Sequence, residues 1–301
     1  MNDAYEVVVI GGGAAGLSGA LMLARSRRSV LVIDAGQPRN APAEGIHGLL
    51  GREGMSPLEL LARGREEVRG YGGEVEEGEV ASVGRDGDGF AVRLADGRGV
   101  GAKRLLVTAG LVDELPPIPG LRERWGRDVV HCPYCHGWEI RDQAIGVLAT
   151  GPMSVHQALL FSQLSDDVMF FANGQEVSAE QREQLVSRSV EIVTGEVEGL
   201  EIAGDRITGV RLDGKTVRRE AIAVATRMVA RAAFLADLGL KTVEHPTGMG
   251  EHIPADPTGR TEVAGVWAAG NVADLSAQVG SAAAAGALAG AQINADLVLN
   301  P

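Results

Sequence analysis

Apolar residues along this chain fall into short unbroken runs, each followed by a glycine-rich turn. YEVVVI (5–10) is a run of strand length, and SVLVID (29–34) is another. Between them, GGGAAG leads into LSGALMLARS, which has helical character. Strand, glycine turn, helix and strand together open a nucleotide-binding βαβ unit. Residues 36–56 carry neither period and read as loop. PLELLARGREEVRGYG reads as a helix with Ser56 as N-cap and Pro57 in its first turn. A β-meander follows over 72–104, turning at RDGDG and ADGR, and ends in the buried strand LLVTAG. ELPPIPGL is a proline-rich break.

A second α/β unit follows the break. QAIGVLATG is a strand and turn, SVHQALLFSQLS a helix and DVMFFANG a strand. Further strands lie within 190–217 and at EAIAVATR. GVWAAGNVADL is then a strand entering a Gly-Asn turn, and the small-residue stretch to Leu299 is a long helix. The pattern predicts an α/β protein with two Rossmann-like, three-layer nucleotide-binding domains, one inside the other.

The first turn has specific chemistry. Gly11, Gly13 and Gly16 satisfy G-x-G-x-x-G, and Asp34 ends the second strand eighteen residues after Gly16. Gly11 makes the tight turn, Gly13 lets backbone approach a pyrophosphate, and Gly16 lets helix and strand pack closely. The helix start offers free N–H groups to phosphates, and Asp34 can accept from a ribose hydroxyl.

HCPYCH (131–136) holds both cysteines, Cys132 and Cys135. Cys-x-x-Cys-His matches a c-type haem handle, Cys flanked by His matches half a zinc site, and Cys-Pro-Tyr-Cys matches a dithiol redox pair. No second Cys pair exists to complete a zinc site, so no metal is expected. Net charge is −12, which disfavours nucleic acid or an anionic membrane as partner. The C-terminal apolar stretch is interrupted by Gln292, Asn294 and Asp296, so no membrane span is expected. The N-terminus lacks a basic, cleavable leader, and a cytoplasmic protein is expected.

GGGAAG at the start, Cys-x-x-Cys about 120 residues later and GVWAAGNVAD near the end resemble the low-molecular-weight thioredoxin reductases. The resemblance covers the whole chain. It implies an FAD-binding domain of residues 1–114 and 245–301, with a pyridine-nucleotide-type domain of residues 115–244 inserted and carrying the redox pair. Cys135 is implied to lie against the flavin, and Cys132 to exchange with a substrate dithiol or disulfide. Gly270, Asn271 and Gln278 are implied to approach the flavin or its ribityl–phosphate part, Asn271 standing where the family has Asp. Ala14, Ala15, Ala35 and Val80 are expected along the same cofactor, as are Ala109, Gly110 and Val279. Arg39, Asn40 and His47 lie in the loop expected to pass over the flavin. A homodimer is implied, with the last helix near its interface.

Two departures redirect the expected chemistry. His136 stands where thioredoxin reductases have an acidic acid/base residue, and an imidazole can hold or relay a proton there. The second glycine fingerprint is degraded to Ala149, Gly151 and Ser154, with Pro152 removing an N–H. No arginine follows the next strand, which reads Ala172-Asn173-Gly174 and then Gln175-Glu176, so NADPH use is doubtful. These features resemble the dithiol-oxidase branch, which forms gliotoxin- and holomycin-type disulfides and also carries Cys-x-x-Cys-His-Gly, an aromatic and Glu. The expected function is an FAD enzyme that oxidises a dithiol with oxygen. The alternatives are an NADPH- or ferredoxin-dependent disulfide reductase, or an idle flavin sensor. A small dithiol or disulfide, or a thioredoxin-like protein, is the expected substrate. Trp138 is expected to shield the cysteines or to be core, His156 to pack or cap, and His245 and His252 to carry no chemistry.

Overall fold

The computed structural model describes residues 1–300. The chain opens with β1 (Ala4–Ile10), α1 (Ala14–Arg25), β2 (Val30–Asp34), α2 (Pro57–Gly70) and β3 (Glu74–Glu77). The meander is β4 (Val80–Asp86), β5 (Gly89–Leu94) and β6 (Gly99–Val107). Strand order is β3-β2-β1-β6, all parallel. The free edge of β6 is shared. Its first half pairs antiparallel with β5, and its second half takes β19 (Val266–Ala268) in parallel. The sheet is buried on both faces, which is why its strands read as continuous apolar runs. Val8 and Ile10 pack toward the meander, while Val7 and Val9 pack toward α1, α2 and the last helix.

That last helix, α7 (Val279–Leu299), has length and mean hydropathy enough to cross a bilayer, but it docks on α1 instead. A Cβ on Gly286 would overlap the Ala15 carbonyl, and one on Gly290 would come to 2.6 Å from the Gly19 carbonyl. The small residues thus let two backbones touch, which a larger side chain would prevent.

The chain leaves this domain through β7 (Leu111–Glu114) and returns through β16 (Arg227–Ala230), paired antiparallel from Leu111↔Ala230 to Glu114↔Arg227. β17 (Val243–Glu244) and β18 (Gly250–His252) extend this ribbon. Inside the excursion lie α3 (Leu121–Arg124), β8 (Val129–Val130), α4 (Pro133–His136), β9 (Ile145–Leu148) and α5 (Ser154–Phe161). Then come β10 (Val168–Phe171), α6 (Ala179–Ser187), β11 (Glu191–Val193) and β15 (Ala221–Val224). The parallel order is β11-β10-β9-β15-β8. An antiparallel sheet of β12 (Val197–Ala203), β13 (Arg206–Leu212) and β14 (Lys215–Val217) shares a core with it.

Two elements depart from expectation. Residues 175–189 carried no expected element, yet they hold α6, with a full capping box of Ser178 and Gln181 at its start. Residues 230–240 were expected in the central domain, but Ala230, Ala232, Leu235 and Leu240 pack into the first domain's core. The return therefore falls in β16, well before residue 245.

Candidate active site at the domain junction

One cavity of about 1490 Å³ runs from the first glycine turn to the cysteine pair and on to the second turn. Its first end is built on β1. Gly11 has φ +107°, donates to the Ile33 carbonyl at 2.8 Å and receives the Thr108 hydroxyl on its own carbonyl at 2.8 Å. Cβ atoms on Gly11 or Gly16 would collide with backbone, whereas one on Gly13 would meet nothing within 4 Å. Gly13 is the N-cap of α1 with no side-chain cap, so the first-turn N–H groups face the cavity side uncapped by any side chain. This is the cradle a pyrophosphate requires: tight where the turn packs and open where a ligand sits. Ala14, Ala15, Ala35, Val80, Ala109 and Gly110 all line the same cavity.

Asp34 is more engaged than a free ribose acceptor. Its Oδ2 accepts from Arg65 at 2.8 Å and its Oδ1 from the Gly36 N–H at 3.2 Å. Each carboxylate oxygen still has a lone pair for a hydroxyl. Arg39 lines the cavity, but its guanidinium grips Asp113 on β7 in a bidentate pair at 2.6 and 2.8 Å. Thr226, just before β16, donates to the same carboxylate at 2.6 Å. Burial alone would raise the Asp113 carboxyl, yet Arg39 and Thr226 hold it below the usual carboxylate range. Arg39 therefore fixes the crossing ribbon.

At the far wall, Gly270 has φ +74°, with the Ala15 methyl 2.8 Å from where its Cβ would stand. Asn271 lines the cavity and donates its amide to the carbonyls of Asp274, Leu275 and Ala277 at 3.2, 3.4 and 2.9 Å. An Asp could not donate to these carbonyls, which gives the substitution a structural cause. Gln278 caps α7, and it and Val279 also face the cavity.

Cys132 and Cys135 form a disulfide with Cα atoms 5.2 Å apart. Cys132 is the N-cap of α4 and Pro133 opens the helix, as its fixed φ favours. His131 donates Nδ1 to the Val224 carbonyl at 3.1 Å, and its own carbonyl accepts from Gln157 at 2.6 Å. These bonds hold the strand end before the pair. His136 lines the cavity with a buried Nε2 that meets no partner. Burial pushes its pKa down, Glu139 works against this, and His47 adds to it. His131 is likewise lowered, chiefly by burial.

His47 also lines the cavity, and it joins the two domains. Its Nδ1 is 2.6 Å from Glu53 and its Nε2 is 3.4 Å from Glu139, three residues past His136. Asn40 lies nearby in the same loop and faces the cavity. Trp138 is neither core nor shield: it is 65% exposed and stacks on the Arg141 guanidinium. His156 is exposed on α5 at the cavity wall, rather than packed or capping. His245 and His252 form an edge-on ring pair.

The second glycine turn is closed on itself. Ser154 is 1% exposed, and its hydroxyl accepts the N–H groups of Thr150 at 3.0 Å and Gly151 at 3.3 Å. Asn173, after β10, donates to the Ala149 carbonyl at 3.3 Å and accepts the Val197 N–H at 3.0 Å. Among the described residues, no cluster of His, Cys, Asp or Glu is arranged to hold a metal. Sequence reasoning missed Thr108, Asp113, Glu139 and the Ser154 hydroxyl as an acceptor for the turn. Only Ser154, a hydroxyl opening a helix after a turn, carried a local signal.

Comparison with known proteins agrees with this geometry. The model of the pyridine nucleotide-disulphide oxidoreductase family matches residues 5–289. Thioredoxin reductase tcpT of Claviceps purpurea (strain 20.1) is 31% identical over 310 residues, covering 99% of this chain and 95% of that protein. The crystal structure of HlmI superposes with a TM-score of 0.93 at 46% identity, covering 99% of this chain and 94% of that one. An oxidoreductase from Agrobacterium tumefaciens superposes at 0.92 with 36% identity, covering 99% of this chain and all of that one. Both the glycine cradle and the cysteine pair fit a thioredoxin reductase-like flavoenzyme acting on sulfur groups, with FAD implied as its cofactor. The chain belongs to the pyridine nucleotide-disulphide oxidoreductase family.

Proposed function

We propose that the enzyme runs toward disulfide formation: it oxidises a dithiol and passes the electrons to oxygen, with little use of NADPH. The observation that carries this is Ser154. Its hydroxyl takes the two turn N–H groups that a nucleotide phosphate would need. Pro152 removes another donor, and Asn173 stands where a 2′-phosphate would want a guanidinium.

A substrate thiolate attacks Cys132 Sγ, the Cys132–Cys135 bond breaks, and Cys135 leaves as thiolate. The second substrate thiolate attacks the substrate sulfur of the mixed disulfide and releases Cys132. Two electrons now rest on the cysteine pair, and the substrate has become a disulfide. Bound FAD supplies the acceptor for those electrons and the route to oxygen, yielding peroxide. His136, kept neutral by burial, takes a proton released by the thiols. The substrate is a small dithiol or a thioredoxin-like protein, and the enzyme is taken as a cytoplasmic homodimer.

The test is anaerobic. NADPH added to the purified yellow holoenzyme leaves the flavin absorbance intact, while a dithiol bleaches it and air restores it with peroxide release. Fast bleaching by NADPH overturns the proposal in favour of a reductase, the activity in the names of relatives such as that of Claviceps purpurea. Cys135→Ser blocks dithiol bleaching while FAD stays bound.

A further inference from the structure

Loop 36–56 of the first domain meets the central domain at two points of different chemistry. Pro42 lies against Gly126, with its Cβ 2.6 Å from where a Gly126 Cβ would stand. This contact has no charge and no titration. At the second point, the His47 imidazole stands between Glu53 on its own loop and Glu139 on the redox segment. Glu53 is fixed from behind by the Gly48 N–H at 2.9 Å, and the loop is closed by an isolated bridge between Ile46 and Met55.

The segment carrying Glu139 continues from the redox helix and is packed against the central domain. Gly137 N–H bonds the Pro133 carbonyl at 2.9 Å, and Gly137 packs so closely on Leu164 that any side chain there would collide. Glu139 is thus three residues from His136 at the end of the redox helix, and a tether at Glu139 bears on the cysteines. We propose that His47 and Glu139 form a cross-domain clasp that positions the redox segment beside the flavin site, with Glu53 bracing the imidazole. His47 and Glu139 are positioning residues and do not touch the reacting sulfurs.

The clasp has a chemical condition. Only the imidazolium has two N–H groups, one for each carboxylate. The neutral ring donates once and turns a lone pair toward the other carboxylate. The charged groups facing His47 are Glu53, Glu139 and the ring of His136, and protonated His136 would compete for Glu139. Burial favours neutral His136, which leaves Glu139 to His47.

This presupposes that the cysteine pair reduces the flavin, as proposed above. The test is anaerobic stopped-flow bleaching of the holoenzyme by dithiothreitol. His47→Gln and Glu139→Gln each slow bleaching about fivefold, the ceiling for a half-exposed ion pair. The double variant is no slower than either single, because both remove one contact. His47→Lys, which keeps a cation facing Glu139, restores the rate. Unchanged rates in both singles, or slowing that multiplies in the double, overturns the clasp. Bound FAD and thermal midpoint are read for every variant. Should His47→Gln fail to fold, Glu139→Gln at an exposed position decides alone. Bleaching that survives Cys135→Ser removes the underlying functional proposal instead, so the two failures are distinguishable.

Discussion

The two glycine turns of this protein start from one frame and end in opposite states. Each follows a buried parallel strand and opens a helix on the same kind of sheet. In the first, the glycines press against backbone at Gly11 and Gly16 and leave open space at Gly13. In the second, Gly151 also has open space, but the Thr150 and Gly151 N–H groups are already taken by Ser154. Room alone does not make a phosphate site; unspent donors do. On the function proposed above, the Ser154 hydroxyl is what sets the second turn apart from the first.

Four substitutions or conditions would break or sharpen that contrast. The largest effect is expected from Gly16→Val. Its side chain would strike the Gly11 carbonyl and Thr108, so the cradle cannot form; expression gives no yellow soluble protein, read as flavin per mole of chain. Gly13→Ala comes next. It meets no protein atom, so the thermal midpoint of the apo protein holds, while the FAD dissociation constant rises about tenfold, or about 1.4 kcal/mol. Fluorescence titration checks this, and unchanged affinity would mean the open space is not where the phosphates go. Ser154→Ala should do the reverse. It leaves two turn donors unpaired and costs about 1–2 kcal/mol in urea unfolding, with FAD affinity untouched.

The smallest effect concerns pH. His131 and His136 are held below the ordinary imidazole pKa, mainly by burial. The unfolded chain therefore takes up protons first as pH falls. Stability is full above about pH 6.5, the unfolded value, and declines below it toward the folded pKa. A falling thermal midpoint between about pH 7.5 and pH 5.5 is expected, and His131→Gln should flatten it. A flat profile in the wild type would show that these rings are not burdened by burial.

Much of this contrast was legible in the residues. G-x-G-x-x-G with an Asp ending the next strand forces one geometry, because each glycine answers a separate steric demand. Pro133 suits a helix start, and α4 does begin there with Cys132 as its N-cap. What stayed hidden depends on partners far away in sequence. Arg39 resembled a cofactor ligand until Asp113, seventy-four residues on, was seen to hold it. Glu139 was only the last letter of CHGWE until the loop of His47 folded over it. Trp138 beside the cysteines suggested shielding, but the local backbone turns it outward onto Arg141. Helix α6 was missed because its face toward the domain is narrow, with Leu185 its one buried residue. Its capping box was the available signal.

The docking of α7 on α1 also sets an order of events during synthesis. The wall of Gly270, Asn271, Gln278 and Val279 that completes the flavin end of the cavity comes from the last stretch of the chain. The glycine cradle comes from the first. A ribosome releases the cradle, the meander and the whole central domain before the closing helix exists. Closing of the flavin end therefore waits for α7. A nascent chain stalled before α7 would expose the α1 groove at Ala15 and Gly19 and stay colourless.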